Sequence, residues 1–212
     1  MRIQKVKNRG VLFTYSSEWD LNLYLIQGEK YNYIIDTGLG PISIAPVKEY
    51  IKNDNKPIIV INTHYHWDHI WGNSALEDCI IISHKHSREM IESEWENMIH
   101  KNKRYARGEL EICLPNLVFD GELYFQEDKI RLIYTPGHTI DSISVLDEKE
   151  KVLNAGDNIG DTIEEIVPSI YTDRQTYLDT LYRYRNMDFD TCVSGHNIIL
   201  GKEVIDQIIS LV

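Results

Sequence analysis

Apolar and polar positions along this chain fall into two similar series, each with strands first and helices after. In the first series, residues 11–15, 21–27 and 31–36 are rich in β-branched and aromatic side chains, and Gly28-Glu29-Lys30 predicts a hairpin turn between the last two. Helical spacing follows over 42–51. Pro57 then opens a wholly apolar strand, Ile58-Ile59-Val60-Ile61, and a second such strand covers 79–83. A long polar helical segment is expected over 87–108, with Ile91, Trp95, Met98 and Ile99 on one face. The second series reads as strands at 129–135, 143–146, 152–155 and 192–194, with helices over 174–186 and 202–210. Two strand groups, each leading into helices, predict an α/β fold in one domain over 1–212, a four-layer sandwich with helices outside two central sheets.

Composition narrows the class of protein. A chain of 212 residues with 42% hydrophobic and 26% charged positions is an ordinary globular one. Its 22 basic and 33 acidic residues leave a net charge of −11, which repels a phosphate backbone, so nucleic acid is not expected as a partner. No apolar run approaches the length of a membrane span, and Met1 to Tyr15 carries no signal-peptide pattern. The three cysteines (Cys79, Cys113, Cys192) have no Cys-x-x-Cys spacing and read as reduced thiols, which sets the expectation of a cytoplasmic protein without a membrane partner.

The chemistry is concentrated just after Ile61, in Asn62-Thr63-His64-Tyr65-His66-Trp67-Asp68-His69. Such a His-x-His-x-Asp-His run arises by chance in roughly one sequence in a thousand of this composition. In an extended strand end His64 and His66 point the same way, and Asp68 and His69 swing beside them as the chain turns into a helix. One metal can take the first pair and a neighbouring metal the second. Further ligand-type residues stand at later strand ends: His138 in Thr135-Pro136-Gly137-His138-Thr139, Asp157 in Ala155-Gly156-Asp157, and His196 in Ser194-Gly195-His196.

Together these motifs, in this order, resemble the metallo-β-lactamase superfamily over about residues 21–196, and Asp36-Thr37-Gly38 matches the loop that closes the family's early strands. The resemblance implies an αββα sandwich with its site at one edge of the two sheets. It implies one metal on His64, His66 and His138, a second on Asp68, His69 and His196, with Asp157 bridging, and Asp36 orienting the metal loop without binding metal. Two divalent cations suit this set of His and Asp ligands without Cys, zinc first and iron or manganese behind. Two such cations, the carboxylates of Asp68 and Asp157 and a bridging hydroxide leave a net charge of +1, enough to bring a bound water to a pKa of roughly 7. Asp68 is the residue expected to orient the nucleophile and shuttle its proton.

Within the superfamily, His66 stands where the flavodiiron branch carries Glu. True class B β-lactamases lack the bridging Asp and are exported, and nucleic-acid-processing relatives add domains or basic exosites. What remains resembles the glyoxalase II and acyl-homoserine lactonase group, although only 16 residues follow His196, too few for the glutathione-holding helical domain of glyoxalase II. The expected function is dinuclear hydrolysis of a small ester, thioester, lactone or phosphoester. The alternatives are a mononuclear iron oxidoreductase of the sulfur dioxygenase type and a metal-stabilised binding scaffold, and a homodimer stays open.

Several residues have two readings. His84 and His86 either cap the next helix or reach the site, and His100 reads as solvated. The 91/95/98/99 stripe either packs on the sandwich or forms a lid or dimer contact. The basic cluster Lys101, Lys103, Arg104 and Arg107 is either a solvated face or an anion contact. Trp67 and Trp71 wall the pocket or fill the core, and Tyr65 and Tyr171 are candidate oxyanion donors.

Overall fold

A computed structural model describes all 212 residues. The first sheet opens as an antiparallel meander: β1 (Arg2–Val6), β2 (Gly10–Ser16), β3 (Asp20–Gln27) and β4 (Asn32–Ile35). It continues in parallel through β5 (Ile58–Ile61), β6 (Ile80–His84) and β7 (Leu117–Phe119), giving seven strands in chain order. The crossovers carry α1 (Pro41–Tyr50), the single turn α2 (Trp67–Ile70) and α3 (Lys85–Asn102). The second sheet holds β8 (Glu122–Phe125), β9 (Ile130–Tyr134), β10 (Ile143–Asp147) and β11 (Val152–Asn154), all antiparallel. It is completed by β12 (Thr191–Val193), parallel to β11 across α4 (Arg174–Asn186), and by the edge strand β13 (Leu200–Gly201) ahead of α5 (Glu203–Leu211).

Strand periodicity decides the layering. In β3, Tyr24 and Ile26 face the second sheet, where they join Ile35, Ile61, Leu132, Ile143 and Val152 in the central core. Leu23 and Leu25 point the other way, against Ile44, Val47 and Ile51 of the α1 segment. In the second sheet Leu146, Leu153 and Cys192 turn outward onto Tyr177, Leu181 and Tyr184 of α4 and onto Val204, Ile205 and Ile208 of α5. Both faces of the central strands are buried, which is why they read as continuous apolar runs. The result is the expected αββα sandwich.

Four strands lay outside the sequence reading, and all are edge or near-edge elements. β1 and β7 are largely exposed and show no burial alternation, and the four-residue β8 alternates only between exposed and half-buried positions, too short a run to mark a strand. They form through backbone hydrogen bonds to an inner neighbour, as does the two-residue β13. The helix expected over 87–108 differs at both ends. It starts at Lys85, because His84 caps it by accepting from the His86 N–H at 3.4 Å. It stops at Asn102, because the chain beyond is drawn onto the loop before α1: Arg107 N–H donates to Leu39 O (2.8 Å) and Ile42 N–H to Arg107 O (2.9 Å). His84 is also buried rather than at the surface, its ring stacked on Tyr134 at 4.0 Å.

Candidate metal centre

All the ligand-type residues follow the C-terminal ends of strands: Asp36 after β4, residues 62–69 after β5, His138 after β9, Asp157 after β11 and His196 after β12. Those strands run the same way within each sheet, so their ends gather at one edge of the sandwich, where α/β folds place ligand sites. The loops are cross-tied. Ile143 N–H donates to Thr63 O (2.8 Å), and Asn22 on β3 donates from Nδ2 to Ser194 O (3.0 Å) and Asn197 O (2.7 Å). Gly195 is required by close approach, since a Cβ there would lie 2.1 Å from Asp157 Oδ1 and 2.7 Å from His69 Cε1.

The structure brings His64, His66, His138 and Asp157 together as one group, with Asp68, His69 and His196 as a second beside it. His64 Nε2 and His138 Nε2 each lie 3.0 Å from His66 Nδ1. Asp157 Oδ2 sits between the groups, 3.2 Å from His69 Nε2 and from His196 Nε2, 3.6 Å from His64 Nε2 and 3.8 Å from His138 Nε2. Asp68 Oδ2 is 3.5 Å from His196 Nε2 and 3.8 Å from His69 Nε2.

Outer hydrogen bonds set the tautomers. His138 Nδ1–H donates to Ser169 O (2.7 Å), His196 Nδ1–H to Asp20 O (2.8 Å) and His69 Nδ1–H to Asp36 Oδ2 (2.8 Å). Thr63 Oγ1 donates to Asp36 Oδ2 (2.7 Å) and so accepts from His64 Nδ1–H (3.1 Å). In its neutral form each of these four rings is thereby left with Nε2 as the unprotonated nitrogen, aimed inward. Two of those lone pairs face His66 Nδ1, which can satisfy only one of them. Asp157 Oδ1 is buried with no hydrogen-bond partner, and His69 Nε2, although 3.2 Å from Asp157 Oδ2, makes no well-aligned hydrogen bond. Unpaired buried acceptors are costly, and a set that converges this way is completed by cations. The residues fit a metal centre.

Electrostatics agree. Burial, reinforced by neighbouring imidazoles, drives His64 well below the usual range and His66 down to about 4, so both present neutral rings. At His69 and His196 burial acts in the same direction, but Asp157 and Asp68 outweigh it, holding His69 well above its ordinary value and His196 up at about 9. Burial alone would raise Asp157, yet His69, His196 and His64 hold it well below the carboxylate range. The same carboxylates that draw protons onto this pair of rings attract a divalent cation.

The ligands open into a cavity of about 620 Å³. Residues left with two readings separate here. Trp67 walls the cavity, stacked on Tyr105 at 5.3 Å, whereas Trp71 is fully buried in the core. Ile91, Trp95 and Met98 pack on Ile70 and Trp71, and the neighbouring face of the same helix, through Glu94, Asn97 and Lys101, overhangs the cavity. His100 is exposed. Tyr65 and Tyr171 both line the cavity, the Tyr171 ring 5.3 Å from that of His138. Trp19, Tyr105 and the 160–169 loop also line it and were not legible in sequence, because tertiary placement alone brings them there. Asn158, which holds the His138 loop by accepting from His138 N–H (2.7 Å), was missed for the same reason.

A family model described as the metallo-beta-lactamase superfamily matches residues 18–196. The chain belongs to the metallo-beta-lactamase superfamily. It is 30% identical over 141 residues to an atrochrysone carboxyl ACP thioesterase of Aspergillus chevalieri, covering 65% of this chain and 40% of that one. It is 28% identical over 170 residues to a hydroxyacylglutathione hydrolase of Francisella philomiragia, covering 79% and 58%. The chain thus spans about half the length of these curated relatives. Among solved superfamily structures, a metallo-beta-lactamase of Hirschia baltica superposes with a TM-score of 0.79 at 15% identity, over 99% of this chain and 96% of the other, a likeness of fold.

Proposed function

We propose that the protein is a metal-dependent hydrolase that holds two divalent cations, zinc first, and cleaves a small ester, thioester, lactone or phosphoester. The observation that carries this reading is the convergence of bare imidazole nitrogens and Asp157 Oδ2 on one point at the cavity floor. His64, His66 and His138 would hold one ion, Asp68, His69 and His196 the other, with Asp157 between them. Such a pair, when bound, supplies Lewis acidity that activates water near neutral pH and polarises a substrate oxygen.

The chain's own groups do the rest. Asp68 faces the cavity beside the second group, placed to orient the attacking water and to carry its proton to the leaving group. Asp36 and Thr63 fix the rings of His69 and His64 so that neither can rotate away. Trp67 and Trp19 narrow the mouth and exclude water from one side. The names of the relatives, a thioesterase and a thioester hydrolase, support acyl transfer to water as the reaction class. A small molecule is the proposed partner. The chain has no helix long and apolar enough to cross a membrane.

The test is metal analysis of protein purified without added metal, together with 4-nitrophenyl acetate hydrolysis. Two zinc ions per chain and turnover lost on chelation are expected. One iron with oxygen uptake would replace hydrolysis by oxygenation, and full hydrolysis after verified metal removal would overturn the reading.

A further inference from the structure

Of the basic residues the sequence groups between positions 101 and 107, the fold turns only one into the cavity. Arg104 lies over the Tyr105 ring at 4.6 Å, and Arg107 is tied through its backbone to the loop before α1. Lys101 lines the cavity, is solvent-exposed, and forms no ion pair within 4.0 Å. It is the only lysine or arginine on the cavity wall. A cation in the last turn of α3 offsets the helix dipole, but that role does not require it to face the cleft. On the same cavity wall stands an aromatic cluster: Trp67 stacked on Tyr105, with Trp19 edge-on to Trp67 at 5.9 Å and to Tyr105 at 4.8 Å.

The remaining charges limit what Lys101 can hold. Glu94, Asp161 and Glu165 line the same cavity, and three carboxylates around one ammonium repel a polyanion. A compact single charge meets far less of that repulsion than a polyanion does. We infer that Lys101 recognises one carboxylate on a substrate whose apolar portion packs against the Trp67, Tyr105 and Trp19 cluster, with the scissile bond over the histidines. The inference rests on the hydrolase reading and names its substrate class: monoanionic aryl or acyl esters, not nucleotide-bearing or phosphorylated ones.

Three matched esters test it: 4-acetoxybenzoate, the neutral 4-acetoxybenzamide and 4-acetoxyphenyl phosphate. The readout is the ratio of kcat/KM between substrates within one preparation, from which the fraction of active enzyme cancels. For an ion pair of this exposure the benzoate preference of the parent, relative to the amide, should fall about two- to fivefold in Lys101→Met, mainly through KM, and should invert in Lys101→Glu. A ratio that does not move in either variant overturns the inference, as does a Lys101-dependent preference for the phosphate. Binding of benzoate against benzamide to the metal-loaded protein, followed by tryptophan fluorescence, decides the matter without turnover. Equal affinities overturn the inference, and a benzoate preference that survives in Lys101→Met assigns the carboxylate to the metal ions and overturns it too. Failure to hydrolyse any ester, with Lys101-dependent benzoate binding intact, would instead sink the hydrolase reading alone.

Discussion

Asp36 lies outside both groups of ligand-type residues, yet Asp36→Asn should be felt there. The residue sits at φ +60°, in the left-handed region that Asn adopts as readily as Asp, so the backbone tolerates the change. The carboxylate accepts three hydrogen bonds: Thr63 N–H to Oδ1 at 2.7 Å, and Thr63 Oγ1 and His69 Nδ1 to Oδ2 at 2.7 and 2.8 Å. An amide oxygen can keep the first. The amide nitrogen then confronts two donors, so Thr63 must rotate to accept, and His69 must surrender its Nδ1 proton and carry it on Nε2. That proton occupies the lone pair aimed at Asp157 and the second group. Hydrogen bonds to a charged acceptor contribute about 1.5–3 kcal/mol each, and loss of such an orienting partner costs about 10–100-fold in metal affinity. The proposed site on Asp68, His69 and His196 should therefore weaken by that factor, measured by titrating apoprotein with zinc against a chromophoric chelator. His64 keeps its contact with Thr63 Oγ1, so the proposed site on His64, His66 and His138 should change less. Unaltered affinity and stoichiometry at both sites in Asp36→Asn would refute the chain of argument from tautomer to metal.

Asp68→Ala should reduce hydrolysis by at least ~100-fold, since it removes both a proposed ligand and the proton carrier; near-parental kcat/KM on 4-nitrophenyl acetate would remove Asp68 from the mechanism. Chelation should lower the melting temperature, because ions that bind only the folded state stabilise it, and an unchanged midpoint after verified metal loss would show that the cluster is not a tight site. Asp141 is fully buried, and burial raises it to about 6, the nearby Thr139 and Ser87 hydroxyls offsetting only part. A pKa raised on folding means that its protonated form stabilises at low pH and that this contribution is lost as pH rises from about 4 through about 6. The stability of Asp141→Asn relative to the parent should then grow by roughly 2–3 kcal/mol between pH 4 and pH 7; in urea denaturation, a flat difference would show that the carboxylate is solvated. No DNA or RNA affinity is expected at physiological salt, given the net charge of −11; endonucleolytic cutting of a long RNA that vanishes in His64→Ala would overturn that.

The sequence alone determined the parts of this protein whose physics is local. Strands buried on both faces are dominated by apolar residues, so β3 to β6 and β9 to β12 announce themselves. A run of three histidines and an aspartate in six residues has few uses besides metal, and strand-end turns at His138, Asp157 and His196 marked the remaining donors. Edge strands were invisible because they are held by backbone hydrogen bonds to a neighbour, which any side chain permits. The same reason hides the partners of the histidines: Ser169 and Asp20 act through carbonyl oxygens, which carry no residue signature. The cleft depended most on tertiary structure. Trp67 and Trp71 are four residues apart, chemically alike and in contact at 5.0 Å, yet Trp71 is buried in the core and Trp67, one turn earlier, is half-buried on the cavity wall. Lys101, Arg104 and Arg107 form one basic cluster on paper, and only the end of α3 at Asn102 separates the residue that faces the cleft from those that do not. Side-chain type follows from sequence, but direction in a loop or at a helix end is set by what the chain must pack against.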